Sequence, residues 1–247
     1  MAKALITGGS EGIGFELAKC FAEDGIDVIL TARDADKLRT AAAYLTSKYS
    51  VSVQTVIKDL SVSGASQELY EEVKGEDVQY LINNAGMGTK GKSWEIPAEE
   101  DEKLISLNDT AVTILTKLFL KDMLEKDTGT IMNVSSTGAF QPGPYIASYY
   151  ASKAYVYSYT LAVAEEVKDT SVHVCCLCPG PVSTGFYQKS GQKIPAIAMP
   201  ADRCAAYAYR KMKEKKTVII PGLANKLARL IPDSVAVKYV KNMKKDD

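Results

Sequence analysis

Short apolar runs alternate along this chain with longer stretches whose apolar residues recur at helical spacing, and glycine or polar turns separate the two. Residues 4–7 form a β-branched apolar run, Gly8 to Gly14 break it, and residues 15–22 carry a helical period. Gly25 stands where helices end on glycine. The same pattern predicts strands at 28–31, 51–57, 78–82, 129–134 and 172–177. It predicts helices at 35–48, 66–74, 99–124 and 149–166.

Strands joined by helices of this length pair in parallel through right-handed crossovers, and near-continuous apolar strands belong to a sheet covered on both faces. The expected fold is therefore α/β: a doubly wound parallel sheet, three αβα layers, in a single domain over 1–247. Residues 185–204 interrupt the alternation and are expected to form a substrate loop or lid before helix resumes. Residues 217–222 predict a short extra strand, and basic amphipathic segments at 223–231 and 234–245 predict a C-terminal helical extension over 217–247. That extension is expected to pack on the domain or a second subunit, with peripheral membrane contact or the mouth of a substrate pocket as the other readings.

Composition narrows the picture. Lys plus Arg and Asp plus Glu both number 30, and no basic stripe runs through the first 200 residues, which argues against a nucleic-acid partner. The first residues run straight into a strand without the longer apolar stretch of a signal peptide, and no apolar run reaches the ~20 residues needed to cross a bilayer. Five cysteines do not make a disulfide framework, so a reduced, cytoplasmic setting is expected. Cys175 and Cys178 have CxxC spacing, but on a strand they face opposite ways. With one histidine in the chain, His173, they read as core, and no metal is expected.

Three features carry chemistry. Thr7-Gly-Gly-Ser-Glu-Gly-Ile-Gly14 lies between a strand and a helix, where glycines let backbone amides approach a pyrophosphate at the positive helix end. The second strand ends Thr31-Ala-Arg33, and an arginine there suits a ribose 2′-phosphate, which favours NADP(H) over NAD(H). Glu11 works against that choice, because its carboxylate would repel the same phosphate. Tyr149 and Lys153 fall on one helix face, where an ammonium would lower the phenol from its ordinary value of ~10.

Together these pieces resemble the short-chain dehydrogenase/reductase family. Thr7, Gly8, Gly12 and Gly14 match its Thr-Gly-x-x-x-Gly-x-Gly, and Asp59 matches its adenine-holding aspartate. Asn83-Asn-Ala-Gly86, Asn133-Val-Ser-Ser136, Tyr149-x-x-x-Lys153 and Pro179-Gly-Pro-Val-Ser-Thr184 match further motifs in the family's order. Asn108 falls in the long helix where the family keeps a catalytic asparagine. The resemblance spans residues 3–185. Ser136 rather than Ser135 has the family's usual spacing to Tyr149, and Tyr149 rather than Tyr150 the right spacing to Lys153.

The resemblance implies a Rossmann fold, a homodimer or homotetramer, and hydride transfer between nicotinamide C4 and a carbonyl carbon. Tyr149 would be general acid or base, Ser136 would hold the substrate oxygen, and Lys153 would lower the tyrosine pKa and hold the nicotinamide ribose. Asn108 would anchor a water leading from Lys153 to solvent. The implied cofactor contacts are Thr7, Gly8, Ser10, Glu11, Gly12, Ile13, Gly14, Arg33, Asp59, Leu60, Asn83, Ala85, Gly86, Tyr149, Lys153, Pro179, Gly180, Val182 and Thr184. Substrate would meet Ser136, Tyr149, Phe140, Tyr145 and Phe186, and with Ile194, Ile197 and Met199 the walls suit a small hydrophobic ketone, a hydroxysteroid or a 3-oxoacyl chain. The competing class is a non-catalytic NADP sensor of the same fold; such relatives usually lose the tyrosine or lysine, and this chain keeps both.

Overall fold

The computed structural model describes residues 2–229 and 231–245. Met1, Leu230 and the last two residues of the predicted 217–247 extension lie outside the described residues. The chain runs β1 (Lys3–Thr7), α1 (Gly12–Glu23), β2 (Asp27–Ala32), α2 (Ala35–Lys48), β3 (Val53–Ile57), α3 (Ala65–Val73) and β4 (Val78–Asn83). Next come α4 (Ala98–Ile105), a π-turn (Ser106–Thr110), α5 (Ala111–Glu125), β5 (Gly129–Val134), a 3₁₀ turn (Thr137–Phe140), α6 (Ala147–Glu166) and β6 (Val172–Leu177). The last part holds β7 (Val182–Ser183), α7 (Phe186–Lys189), β8 (Met199–Pro200), α8 (Ala201–Lys213), β9 (Val218–Ile219), α9 (Leu223–Ala228) and α10 (Asp233–Lys245).

The main sheet has seven strands in the order β3-β2-β1-β4-β5-β6-β9, and every pairing in it is parallel. Side chains alternate between its faces, as strand geometry requires. Ala4, Ile6, Val28, Leu30, Ile82 and Met132 point to one side, into a core closed by α1, α2 and α8. Leu5, Ile29, Leu81, Ile131 and Val174 point to the other, into a core closed by α3, α5 and the end of α6. This is the three-layer, doubly wound arrangement that the sequence pattern predicts. From β1 the chain winds outward to β2 and β3, then returns to place β4 on the opposite side of β1. A crevice opens at the carboxyl ends of the strands where the winding reverses.

The structure departs from the predicted elements at places with physical causes. The long helix expected over 99–124 is interrupted by the π-turn, and Asn108 sits inside it with both side-chain polar atoms bonded to Met87. The region expected as a lid up to 204 contains α7 and β8, and α8 already begins at Ala201. Cys204, Ala205, Ala208 and Met212 give α8 a buried face, which packs on α1. The helix expected over 223–231 is α9, ending at Ala228.

The cysteines belong to the core. Cys175 lies in one face of the sheet, while Cys176 and Cys178 lie in the other with their Sγ atoms 3.7 Å apart. All five are free thiols, and no cluster able to hold a metal occurs among the described residues. No helix among them is long and apolar enough to cross a membrane. Burial pulls the His173 imidazole down to about 4, helped by Lys215.

Phe21 ties α1 to α8. It is fully buried, with its ring 5.0 Å from Tyr80 and 4.9 Å from Tyr209. Phe21→Ala is expected to destabilise the fold by about 3–5 kcal/mol, the usual range for a large aromatic cut from a core. Urea unfolding with unchanged slope would show it, and a loss below about 1 kcal/mol would mean that the α1–α8 contact is not a core contact.

Candidate active site

The crevice is a cleft of about 460 Å³ that runs from the glycine turn to Tyr149. Its first wall is the β1–α1 turn. Gly8 and Gly12 take left-handed backbone angles, φ +63° and +60°, which suit glycine. A Cβ on Gly14 would lie 2.4 Å from both the Gly8 carbonyl oxygen and Asn84 Nδ2, so only glycine lets helix and turn close together. Glu11 occupies the N-cap of α1 but makes no capping hydrogen bond with its side chain. No side chain caps the first amides of α1, which is the arrangement that receives a phosphate group.

Behind this wall, Thr7 and the β4 exit are clamped together. Thr7 Oγ1 accepts from the amides of Asn84 and Ala85, both at 2.9 Å. Asn84 Nδ2 donates back to the Thr7 carbonyl at 2.9 Å and the Gly8 carbonyl at 3.2 Å. Thr7, Gly14 and Asn83, expected as cofactor contacts, do not line the cleft. Thr7 and Gly14 shape its wall from behind. Asn83 points into the sheet core, where its amide donates to Asn133 Oδ1 at 2.8 Å and Thr116 Oγ1 at 3.1 Å. Asn84, next along the motif, takes the place in the lining. The strand alternation that turns Asn83 inward is the signal that could have separated the two.

At the adenosine end, Arg33 extends into solvent with Nη1 4.0 Å from Asp59 Oδ2. Asp34 is occupied as the N-cap of α2, accepting from the amides of Asp36 and Lys37. Asp59 accepts from the Ser61 amide and hydroxyl at 3.0 and 2.7 Å. Burial opposes its ionisation, but the Ser61 bonds and Arg33 outweigh it and hold the carboxyl below the ordinary range. Glu11 is held between two cations: Lys37 Nζ at 2.8 Å and Lys189 from α7. Burial raises its carboxyl, yet the two lysines more than offset that and keep it ionised. The carboxylate expected to repel a 2′-phosphate is thus neutralised by partners the sequence did not point to, one of them 178 positions away. Arg33, Lys37, Lys58 and Lys189 line this end of the cleft against Glu11, Asp34 and Asp59, one positive charge in excess.

At the other end, α6 presents Tyr149 and Lys153 one turn apart. Ser136 lines the same cleft, near enough to the Tyr149 phenol to pull its proton affinity down. Ser136 also accepts from the Gly138 amide at 3.0 Å as the cap of the 3₁₀ turn. Ser135 is buried instead, donating to the Lys153 carbonyl at 2.7 Å. Lys153 is 4% exposed, donates to the Val134 carbonyl at 3.0 Å, and lies 5.7 Å from the Tyr149 ring centroid. The expected lowering of the phenol is not what the geometry gives. Burial pushes Tyr149 well above its ordinary value, with Ser136 pulling the other way. Burial likewise pulls the Lys153 ammonium down to about 8, against the attraction of Asp109. A Cβ on Gly86 would come within 3.3 Å of Asn108 Oδ1 and 3.4 Å of Lys153 Nζ, so this glycine lets both approach the β4 exit.

Asn108 is fully buried and outside the lining. Its Oδ1 accepts from the Met87 amide at 2.9 Å, and its Nδ2 donates to the Met87 carbonyl at 2.9 Å and Ser152 Oγ at 3.0 Å. Its side chain is taken up by protein groups, not held ready for a water. Its neighbour Asp109, which the sequence reading passed over, is pushed up to about 6 by burial, with the Lys153 charge pulling down.

The substrate side differs most from expectation. Phe186 lies 5.2 Å from the Tyr149 ring, centroid to centroid, and lines the cleft. Phe140 turns away and packs edge-on against Tyr157, with Arg229 over both rings. Tyr145 takes φ +66° in the loop before α6 and lies outside the lining, as do Ile194 and Met199. In their place stand Met87, Gly88, Ile146, Tyr150, Tyr187, Pro195 and, from α10, Met243 and Lys244. Ile197 lines the cleft as expected. The 217–247 extension thus reaches the cleft mouth, one of the readings that the sequence left open.

A crevice at the switch point of a parallel sheet, with an open glycine turn at one end and a Ser–Tyr–Lys group at the other, defines a nucleotide-dependent enzyme class. The family profile described as short chain dehydrogenase matches residues 2–195. The chain belongs to the short-chain dehydrogenase/reductase family, whose fold binds a nicotinamide cofactor. It is 28% identical over 265 residues to the very-long-chain 3-oxoacyl-CoA reductase of Bos taurus, covering 98% of this chain and 83% of that one. It is 32% identical over 197 residues to the 17-beta-hydroxysteroid dehydrogenase type 3 of Mus musculus, covering 79% of this chain and 65% of that one. A short-chain dehydrogenase from Sphingobium yanoikuyae in complex with NADPH superposes with a TM-score of 0.88 at 30% identity, covering 93% of this chain and 92% of that one.

The lowered value of Lys153 makes stability depend on pH. Between about 8 and the ordinary 10.5 the unfolded chain binds a proton that the folded chain does not, so this lysine's contribution improves as pH rises through that window. The difference in urea midpoint between the wild type and Lys153→Met should therefore shift toward the wild type across it. A difference independent of pH would show that the ammonium is not desolvated.

Proposed function

We propose that this chain is an NADP(H)-dependent oxidoreductase that interconverts a carbonyl and a secondary alcohol on a hydrophobic substrate of ketone, hydroxysteroid or 3-oxoacyl type. The observation that carries this reading is the gathering of Ser136, Tyr149 and buried Lys153 in the same cleft as the uncapped turn of α1. The names of the bovine and mouse relatives support the substrate class, and the apolar side chains of Met87, Ile146, Phe186 and Met243 suit it.

The residues present fit the cofactor. Gly8 and Gly12 line the turn in left-handed backbone angles that keep the pyrophosphate cradle open, and Arg33 with Lys37 offers cations for a 2′-phosphate. When bound, the nicotinamide supplies or accepts the hydride. Tyr149 holds its proton at the phenol oxygen, and burial keeps it there at neutral pH. It is therefore set as the donor to a substrate oxygen during reduction. Ser136 orients that oxygen and steadies the negative charge that develops on it. Lys153, fixed by Val134, places a positive charge beside the phenolate left after transfer. Asn108 holds Met87 and Ser152, and through them the wall around the lysine. Phe186 over Tyr149 keeps water from the transfer path.

Tyr149→Phe should lower kcat for NADPH-dependent ketone reduction by at least about 10²-fold, while NADPH binding, followed by fluorescence titration, stays near the wild type. Turnover at the wild-type rate would remove Tyr149 from the mechanism. Arg33→Asp should raise the NADPH KM by roughly 10- to 100-fold, the span of one lost charge-assisted hydrogen bond, and favour NADH. An unchanged preference would place the discrimination elsewhere.

A further inference from the structure

The C-terminal extension exposes apolar side chains that the catalytic reading leaves unused. On α10, Ala236 and Val240 face inward, while Val235, Tyr239 and Met243, each one turn apart, are 57%, 64% and 38% exposed. Ile197, at the tip of the segment between α7 and β8, is 82% exposed. Met243 and Ile197 also line the cleft, so this apolar face is continuous with the cleft mouth. Single exposed apolar residues are ordinary, but a continuous set at a pocket rim marks an interaction face.

The charges around it choose the partner. The 217–247 extension contains Lys226, Arg229, Lys238, Lys241, Lys244 and Lys245 against Asp233, Asp246 and Asp247, an excess of positive charge. Lys238 and Lys241 are exposed; by helical angle Lys238 borders the apolar stripe and Lys241 lies at the far edge of the same exposed arc. A two-fold contact through this face would bring two copies of the same cationic patch together, which like-charge repulsion opposes. An anionic lipid surface accepts both the lysines and the apolar side chains. The loop after β4, which also leaves the carboxyl edge of the sheet, holds Trp94, 81% exposed with Lys92 Nζ 5.6 Å from its ring centroid. Tryptophan with lysine is a pairing suited to the lipid headgroup region.

We propose that the outer face of α10, with Ile197, docks this protein on an anionic membrane surface and sets the cleft mouth against the lipid. An apolar substrate then enters from the bilayer rather than from water. Docking stands independently of the carbonyl-reduction reading, whereas this substrate route rests on it.

The test is flotation of the full chain with phosphatidylcholine vesicles, with and without phosphatidylserine. The protein should float only with the anionic vesicles and should be released near 1 M salt, where screening shortens to about 3 Å. Lys238→Gln with Lys241→Gln should weaken binding by roughly 30-fold, and Val235→Asp with Tyr239→Asp should abolish it. Both double variants should keep wild-type circular dichroism and reduce a short water-soluble ketone at the wild-type rate. If a variant does not fold, the lipid and salt dependence of the wild type decides the matter. No flotation, equal binding to neutral vesicles, or a dimer that Val235→Asp with Tyr239→Asp splits would overturn the proposal. Failure of the wild type to reduce any ketone would overturn the catalytic reading and leave the docking result standing.

Discussion

Thr7 stands where the winding of the sheet reverses, and its hydroxyl accepts from two consecutive amides at the exit of β4. Asn84 answers by donating to the carbonyls of Thr7 and Gly8. This reciprocal clamp fixes the glycine turn and the Ala85–Met87 segment relative to each other. Both ends of the cleft then follow: the turn carries the open end of α1, while Gly86 and Met87 set the approach of Lys153 and Asn108. An amide left without its partner in such a place costs about 1–3 kcal/mol, so removing the threonine hydroxyl would strain both neighbours at once.

Burial governs the chemistry built on that frame. Tyr149 is pushed up and Lys153 down by the same loss of water, so in the free protein proton and charge are held in the opposite sense to a simple lysine-activated phenolate. The adenosine end works the other way, being open and rich in charge, with Glu11 tied to Lys37 and Lys189. One cleft thus joins a region where charge is expensive to one where it is abundant.

The doubly wound parallel sheet and the Tyr149–Lys153 spacing were legible because each is written in short-range pattern, alternation along strands and helical spacing, while Ser136 was singled out through the family resemblance. What stayed hidden depends on side chains meeting across long stretches of sequence. Lys189 reaching Glu11, Phe140 turning to Tyr157, and Met243 entering the cleft are contacts of that kind. The inward turn of Asn83 was within reach, since strand alternation separates it from Asn84. The π-turn was not, because nothing in residues 106–110 alone sets it apart from the helix around it, and the Asn108–Met87 bonds that accompany it join residues 21 positions apart.

That π-turn sets how the chain tolerates change in length. Its extra residue offsets the phase of α4 from that of α5 by about 100°. Ala111, Leu115, Phe119 and Met123 fix α5 against the sheet, so the direction of Asn108 is measured by counting back along the helix from them. Surface loops elsewhere accept insertions at small cost. A single residue gained or lost between Asn108 and Phe119 would swing the asparagine away from Met87 and Ser152, so this helix is a stretch in which variants are confined to substitution.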